Sequence, residues 1–497
     1  MRKDRLSYAA KALLLGLAIA QLLATLQVYL SNLNLYVSLV VLRGSSYLVV
    51  PNQTIMASLG EFGPAWSGGI FFALSAGAGI SLLSLVAAWV WERLFYRKRV
   101  LLLPFILLWL GLLAAVNSEG LCAMASSYFI IIPPVVFAAT CRWMPPPPDR
   151  PVWLKRLGQA VPFSVLAVVW AAQMDSTLFV DARDSLLLSN PLGMRLNDFY
   201  YDYTLYSAEA FKSLDQRLLR TCDLEDLGGT PLARSLEQAL LGHDYLPVRG
   251  EAGADLKIRK LGDFLAFLHR GDMVLRTTAS AFLADPGKAL LEFSLETDRY
   301  GFFRRFTFIS LAVALPTTLY VLLYSLLRLI LSLFLAMGSA AVTAAVLCSI
   351  IGLAPVVPIS SMRGAKIDPN HLADALQAPR WQERVAALKL VETQGLELGN
   401  LPAHRKLTGS PHVAERYWLA RALGVSRQTE TYREIIHLLD DPHPNVVAMA
   451  FYALGRRGDP GAVDEIKRRL KISEHWYSQW YGYKALRTLG WKQAAST

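Results

Sequence analysis

Residues 441–455 read DPHPNVVAMAFYALG. A polar turn rich in helix breakers, Asp441 to Pro444, runs into a helix with small residues on one face. Three other segments follow the same plan: APRWQERVAALKLV from Ala378, GSPHVAERYWLARALG from Gly409 and SEHWYSQWYGYKALRTLG from Ser473. Ala422-Leu423-Gly424, Ala453-Leu454-Gly455 and Ala485-Leu486 fall in register, about 31–32 residues apart, and Leu390-Val391 takes the same place in the first copy. Each copy predicts a short helix, a polar turn and a second helix. One such pair cannot bury its own apolar face, so the copies must stack and share a core.

These residues resemble the HEAT or HEAT-like (PBS lyase type) repeat family, most closely along Asp440-Asp441-Pro442-His443-Pro444-Asn445-Val446-Val447. The resemblance implies a C-terminal α-solenoid over 362–497 that binds a protein partner. The first copy departs from the pattern by lacking the Ala-Leu-Gly ending. The last replaces small consensus residues with Trp476, Trp480, Tyr481 and Tyr483. Those aromatics are either the hydrophobic cap of the stack or a contact surface.

The rest of the chain has a different character. Of the 497 residues, 54% are hydrophobic and 18% charged, where a soluble domain carries about 25% charge. Membrane-length apolar runs occupy 12–30, 67–91, 100–116, 121–139 and 157–173. The first follows Arg2, Lys3, Arg5 and Lys11. It is too long for a signal-peptide core and has no clear cleavage site, so it reads as a retained first span. Arg93, Arg97, Lys98 and Arg99 follow the second run, and Arg142, Arg150, Lys155 and Arg156 follow the fourth. The positive-inside rule then puts the N-terminus and both loops in the cytoplasm, with Pro145 to Pro148 as a stiff spacer.

Residues 1–173 are thus expected to be a five-helix membrane domain, and 174–303 a small mixed α/β domain outside the cytoplasm, with helices at 204–222 and 230–241. Residues 304–361 are too long for one span and predict a hairpin, 306–332 and 336–358, turning near Gly338-Ser339. Seven spans would return the repeats to the side of 174–303. Arg363 and Lys366 fit a six-span alternative better. The fold class expected is mainly α: a polytopic helical membrane domain, the α/β domain and the solenoid. Compact loops and scarce cysteine fit a bacterial inner membrane.

Chemistry is hard to find in this sequence. The formal net charge of +11 is spread unevenly: 174–303 is acidic by six charges and 362–497 basic by six. A nucleic-acid partner is not expected, because the N-terminal basic excess belongs to topology. The four cysteines form no CxxC, and no Walker, GxSxG or HExxH motif occurs. Neither metal nor cofactor is expected, and His412, His437 and His443 read as surface or helix-end histidines. Asp175, Asp181 and Asp184 read as solvated carboxylates at a membrane exit, or as a cation site or general base. The aromatic block from Asn197 to Tyr206, with Tyr200, Tyr201 and Tyr203, reads as a domain edge near lipid headgroups or as a binding face. The two functional readings are a membrane-anchored scaffold that binds a protein through its repeats, with lipid around it, and a transporter or enzyme acting on a lipid or lipid-linked substrate. The opposite charges of the two soluble regions suggest a loose, salt-sensitive contact between them.

Overall fold

A computed structural model describes residues 7–146, 153–224, 227–228, 230–248, 253–365 and 367–494, with backbone alone for 153–159. Arg2, Lys3, Arg5, Pro147, Pro148, Arg150 and Lys366 lie outside the described residues, as do the side chains of Lys155 and Arg156. Six helices are long and apolar enough to cross a membrane: α1 (Tyr8–Gly44), α2 (Phe62–Arg93), α3 (Arg99–Val116), α4 (Ala123–Trp143), α9 (Gly301–Leu331) and α10 (Met337–Gly364). Helix α5 (Trp153–Ala171) has 19 residues and lies along α10, where the Trp170 indole N–H donates to the Gly352 carbonyl at 2.9 Å.

At 37 residues, α1 is about 55 Å long, well beyond the ~30 Å of a hydrocarbon core. It therefore runs past residue 30, where the sequence reading stopped. Small residues set the bundle's spacing: Gly77 is packed on Ala20, and Gly16 on Ser81 and Val136, leaving no room for a Cβ. Two π turns, Ala73–Gly77 in α2 and Ser310–Ala314 in α9, meet through a hydrogen bond from the Ser310 hydroxyl to the Ser75 carbonyl. Helix α4 continues through Pro133 and Pro134. Pro133 has no N–H to give the Phe129 carbonyl; the Trp109 indole on α3 donates to it instead, at 2.5 Å. The α9–α10 turn falls at 332–336, so Gly338 and Ser339 lie inside α10.

Between α5 and α9 the chain forms a short helix, Leu178–Ala182, a π turn, Arg183–Leu187, and the helix α6 (Pro191–Glu209). The helix expected over 204–222 ends at Glu209. Ser213 and Gln216 form a capping box on a 3-10 turn, and β1 (Arg220–Asp223) follows. The mixed sheet has the order β2-β1-β3-β4-β5, with β2 (Tyr245–Pro247), β3 (Leu256–Leu261), β4 (Phe264–His269) and β5 (Asp272–Thr278). β1 is parallel to β2 and β3, and the last three strands are antiparallel. Helix α7 (Pro231–Leu241) makes the β1–β2 crossover. Helix α8 (Pro286–Thr297) packs its Phe293 with Phe267 and Phe282 in the domain core.

The repeats form a two-layer stack. One layer holds α11 (Trp381–Gln394), α12 (Val413–Leu423), α14 (Pro444–Arg457) and α16 (Trp476–Thr488), termed the A helices. The other holds α13 (Thr429–Leu438), α15 (Ala462–Ile472) and, in the first copy, 3-10 turns at Leu398–Asn400 and Pro402–Leu407. The Ala-Leu-Gly signature marks where successive A helices touch. A Cβ at Gly424 would stand 2.9 Å from the Ala453 Cα, and one at Gly455 3.0 Å from the Ala485 Cα. Ion pairs run from copy to copy: Arg384 to Glu415 at 2.5 Å and Arg416 to Asp441 at 2.6 Å.

Gly455→Val should therefore force two A helices apart and destabilise the fold by about 1–3 kcal/mol. Gly409, with nothing within 4 Å of its Cβ position, should accept Ala with little effect. Denaturant or thermal unfolding of the purified variants checks both.

Candidate interaction surface of the repeats

The A helices do not face solvent. They face the chain's own segment from Asp175 to Asp244, contact by contact. Arg363 at the end of α10 pairs with Asp175 and Asp181, each at 2.9 Å. Lys389 on α11 reaches Asp184 at 3.1 Å and Asp181 at 3.6 Å. The Trp418 indole on α12 donates to the other side of this cluster, the Asp184 carboxylate, at 2.7 Å. Arg183 pairs with Asp184 at 2.6 Å and lies over the Tyr417 ring. Asp181 and Asp184 are buried, so the expectation of solvated carboxylates fails for both. Apart from Arg183, their cationic partners, Arg363 and Lys389, come from far along the chain.

Helix α6 lies across the ends of α14 and α16. The Asn445 amide donates to Asn197, and the Trp476 indole N–H donates to the Tyr201 carbonyl. The Tyr201 and Tyr477 rings meet at 4.5 Å between centroids. Beyond α6, the Tyr483 hydroxyl donates to Asp244 at 2.7 Å, and Arg487 pairs with the same carboxylate at 3.1 Å. The loop after α1 joins in: Asn52 donates from its backbone to Gln479 and from its side chain to the Ser473 carbonyl, and Gln493 exchanges two bonds with the Leu48 backbone.

The aromatic residues singled out in the sequence thus meet one another. Tyr201, Trp476 and Tyr481 belong to one cluster through Tyr477. Tyr200 stands edge-on to Phe71 of α2, and Tyr203 packs on Phe199. Tyr483 is fully buried, and Trp480 carries the Lys484 ammonium 3.6 Å above its ring. The last copy makes contacts, and those contacts are with its own chain. The join is not the loose one expected from net charge, because Asp184 has no exposed surface and salt screens buried pairs poorly.

His443 and His475 are the N-cap residues of α14 and α16. Each accepts a backbone N–H on Nδ1, from Asn445 and Tyr477, which leaves the proton on Nε2. Those Nε2 atoms stand 3.6 Å from Asp198 and 3.5 Å from Asp202. Burial lowers the pKa of both histidines, His475 to about 4 with a further push from His443. Burial, with Asp198 adding, raises that of Asp202. Among the described residues no three His, Cys, Asp or Glu side chains are grouped to hold a metal ion.

A histidine with a lowered folded pKa gives its full stability above the unfolded value of about 6.5 and loses it as pH falls toward the folded value. Thermal stability should therefore drop as pH is lowered from 6.5 toward 4. His475→Asn, which keeps a capping acceptor but cannot titrate, should flatten that slope. A melting-temperature series across this range for both proteins is the check.

Comparison with known proteins returned no matching curated protein and no matching solved structure. Residues 401–487 match the family model described as HEAT repeats, so the C-terminal region that packs on Asp175 to Asp244 is a HEAT-repeat region.

Proposed function

We propose that this protein is a membrane-anchored assembly protein that holds a protein partner beside the bilayer through the outer layer of its HEAT repeats. HEAT repeats work by presenting extended surfaces to other proteins. The observation that carries the reading is the division of labour between the two layers. The A helices are taken up by the protein's own segment, while α13, α15 up to its last turn and the 3-10 turn at Pro402–Leu407 are left open. On that open side Lys406, Arg427, Arg433 and Lys471 are exposed and make no ion pair among the described residues. Ile472, next to Lys471 in the chain, is 66% exposed. Unpaired cations on the open side suit a partner with an acidic face, since charge complementarity speeds encounter and sets orientation.

The same reading gives the topology. The Arg93 side chain donates to the Pro145 carbonyl at 2.6 Å, so the α2–α3 and α4–α5 loops share one end of the bundle. That end carries Arg93, Arg97, Lys98, Arg99 and Arg142, which favours the cytoplasm. The repeats touch 175–244, which supports placing both on one side of the membrane. A helical hairpin of α9 and α10 fits that placement, and it supports seven spans with both regions outside the cytoplasm.

A photo-crosslinking residue at Arg433 or Lys471 should capture a discrete partner in intact membranes, and one at Trp418 should not. Arg433→Glu with Lys471→Glu should cut the yield at Ile472 several-fold. Capture from Trp418 alone would refute the proposal. An impermeant thiol reagent should label a cysteine at Lys471 from outside the cytoplasm and one at Arg97 only after permeabilisation; the reverse would refute the topology.

A further inference from the structure

A cavity of about 450 Å³ lies where α1, α6, the sheet domain and the last repeat converge. One wall is α1, which presents Gln27, Ser31, Asn34 and Ser38 at positions i, i+4, i+7 and i+11, a single helix face. Facing them are Lys212, Arg217 and Arg270, with Trp476 and Trp480 from α16.

Three features mark this as a built site. Gln27 is 4% exposed, and its side-chain carbonyl oxygen has no hydrogen-bond partner. An unsatisfied buried amide costs stability unless something occupies the space it faces. The cations also exceed what the neighbouring carboxylates neutralise. Glu209 is shared by Lys212 at 2.8 Å and Arg217 at 3.7 Å, and Asp255 is held by Arg217 and Thr221. Arg270 makes no ion pair among the described residues. It stands at the β4–β5 turn in a left-handed backbone conformation, with a φ of 53°. Lys484, above the Trp480 ring, has its pKa lowered by burial and then by the Lys212 ammonium. Finally, the wall is continuous with an exposed apolar stripe on the same helix: Leu30, Leu26 and Leu22 are 38%, 52% and 64% exposed. Each is one helical turn further into the span.

We propose that this cavity binds a phosphate-bearing amphiphile. Its anionic head sits among Arg217, Arg270 and Lys212 and takes a hydrogen bond-donating group against Gln27, and its alkyl chain leaves along Leu30, Leu26 and Leu22. A volume of this size suits a small polar head with its first carbons. The charge excess selects an anion, and the stripe selects a chain over a free solute. The inference needs α1 to lie in a bilayer, as proposed above, but does not need the repeats to bind a protein.

The test uses the full chain in a neutral sugar detergent, read by native mass spectrometry. The probes are phosphatidylglycerol, phosphatidylcholine and glycerol 3-phosphate. Phosphatidylglycerol should bind one to one and at least tenfold more tightly than phosphatidylcholine. Arg270→Glu and Gln27→Leu should each weaken it at least fivefold. Arg305→Glu, 75% exposed and off the cavity, should leave it unchanged. Equal binding of the two lipids, or a loss with Arg305→Glu as large as with Arg270→Glu, would mean only annular lipid and overturn the proposal. Glycerol 3-phosphate binding as tightly as the lipid would show a free-anion site and overturn the amphiphile. The cavity variants act on different walls, so a fall in melting temperature in one leaves the other to decide.

Discussion

A carboxylate with no exposed surface holds this molecule together. Asp184 leaves the last helix of the N-terminal bundle by little more than one turn of short helix, and three groups converge on it: Arg183, Lys389 and the Trp418 indole. Leaving such a charge unpaired costs on the order of 3–5 kcal/mol, so its partners are not free to drift. Two of them lie on the first two A helices of the repeats. The repeats are therefore fixed against the segment that leaves the bundle, and the remaining geometry follows. With α12 placed, α14 and α16 fall across α6, and the loop after α1 meets the end of α15. The outer layer is then left uncovered by the chain's own segment, and the gap between α1 and α16 becomes a cavity.

The character of this join differs from that of a net-charge attraction. Opposite totals of six charges would give a contact that weakens with salt and has no preferred register. The join seen here is read out one repeat at a time. Three of the A helices each offer residues to a different short stretch: Tyr417 and Trp418 to 183–184, His443 and Asn445 to 197–198, His475 to Tyr477 to 201–202. Aromatic stacking and indole hydrogen bonds carry orientation that surface charge cannot. The acidic and basic totals are the residue of these local pairings.

What was legible in the sequence is what local periodicity encodes. The apolar runs marked where the long helices fall, because a long unbroken apolar stretch favours one continuous helix. The Ala-Leu-Gly register gave the repeats because close helix contact needs small residues at a fixed spacing. What escaped is what depends on distant partners. Asp181 looked solvated because Arg363 is 182 residues away, and Asp184 because Trp418 is 234 away. Helix α1 was cut short at residue 30 because Ser31, Asn32 and Asn34 look like a loop. Their spacing with Gln27 and Ser38, one polar face on a continuing helix, was the signal. The misplaced end of α6 has a local cause: Ser213 and Gln216 form a cap of their own, which helical periodicity alone does not reveal.

The central claim is that the repeats are bound to the rest of the protein by their A helices and not merely tethered through α10. A specific protease site inserted after Gly364, where α10 ends, allows that tether to be cut in the purified protein. If the account is right, the released fragment from 365 onward stays with the remainder through size-exclusion chromatography in high salt, and Asp184→Asn with Trp418→Phe loosens it. A fragment that separates from the otherwise unaltered protein on cleavage would contradict it.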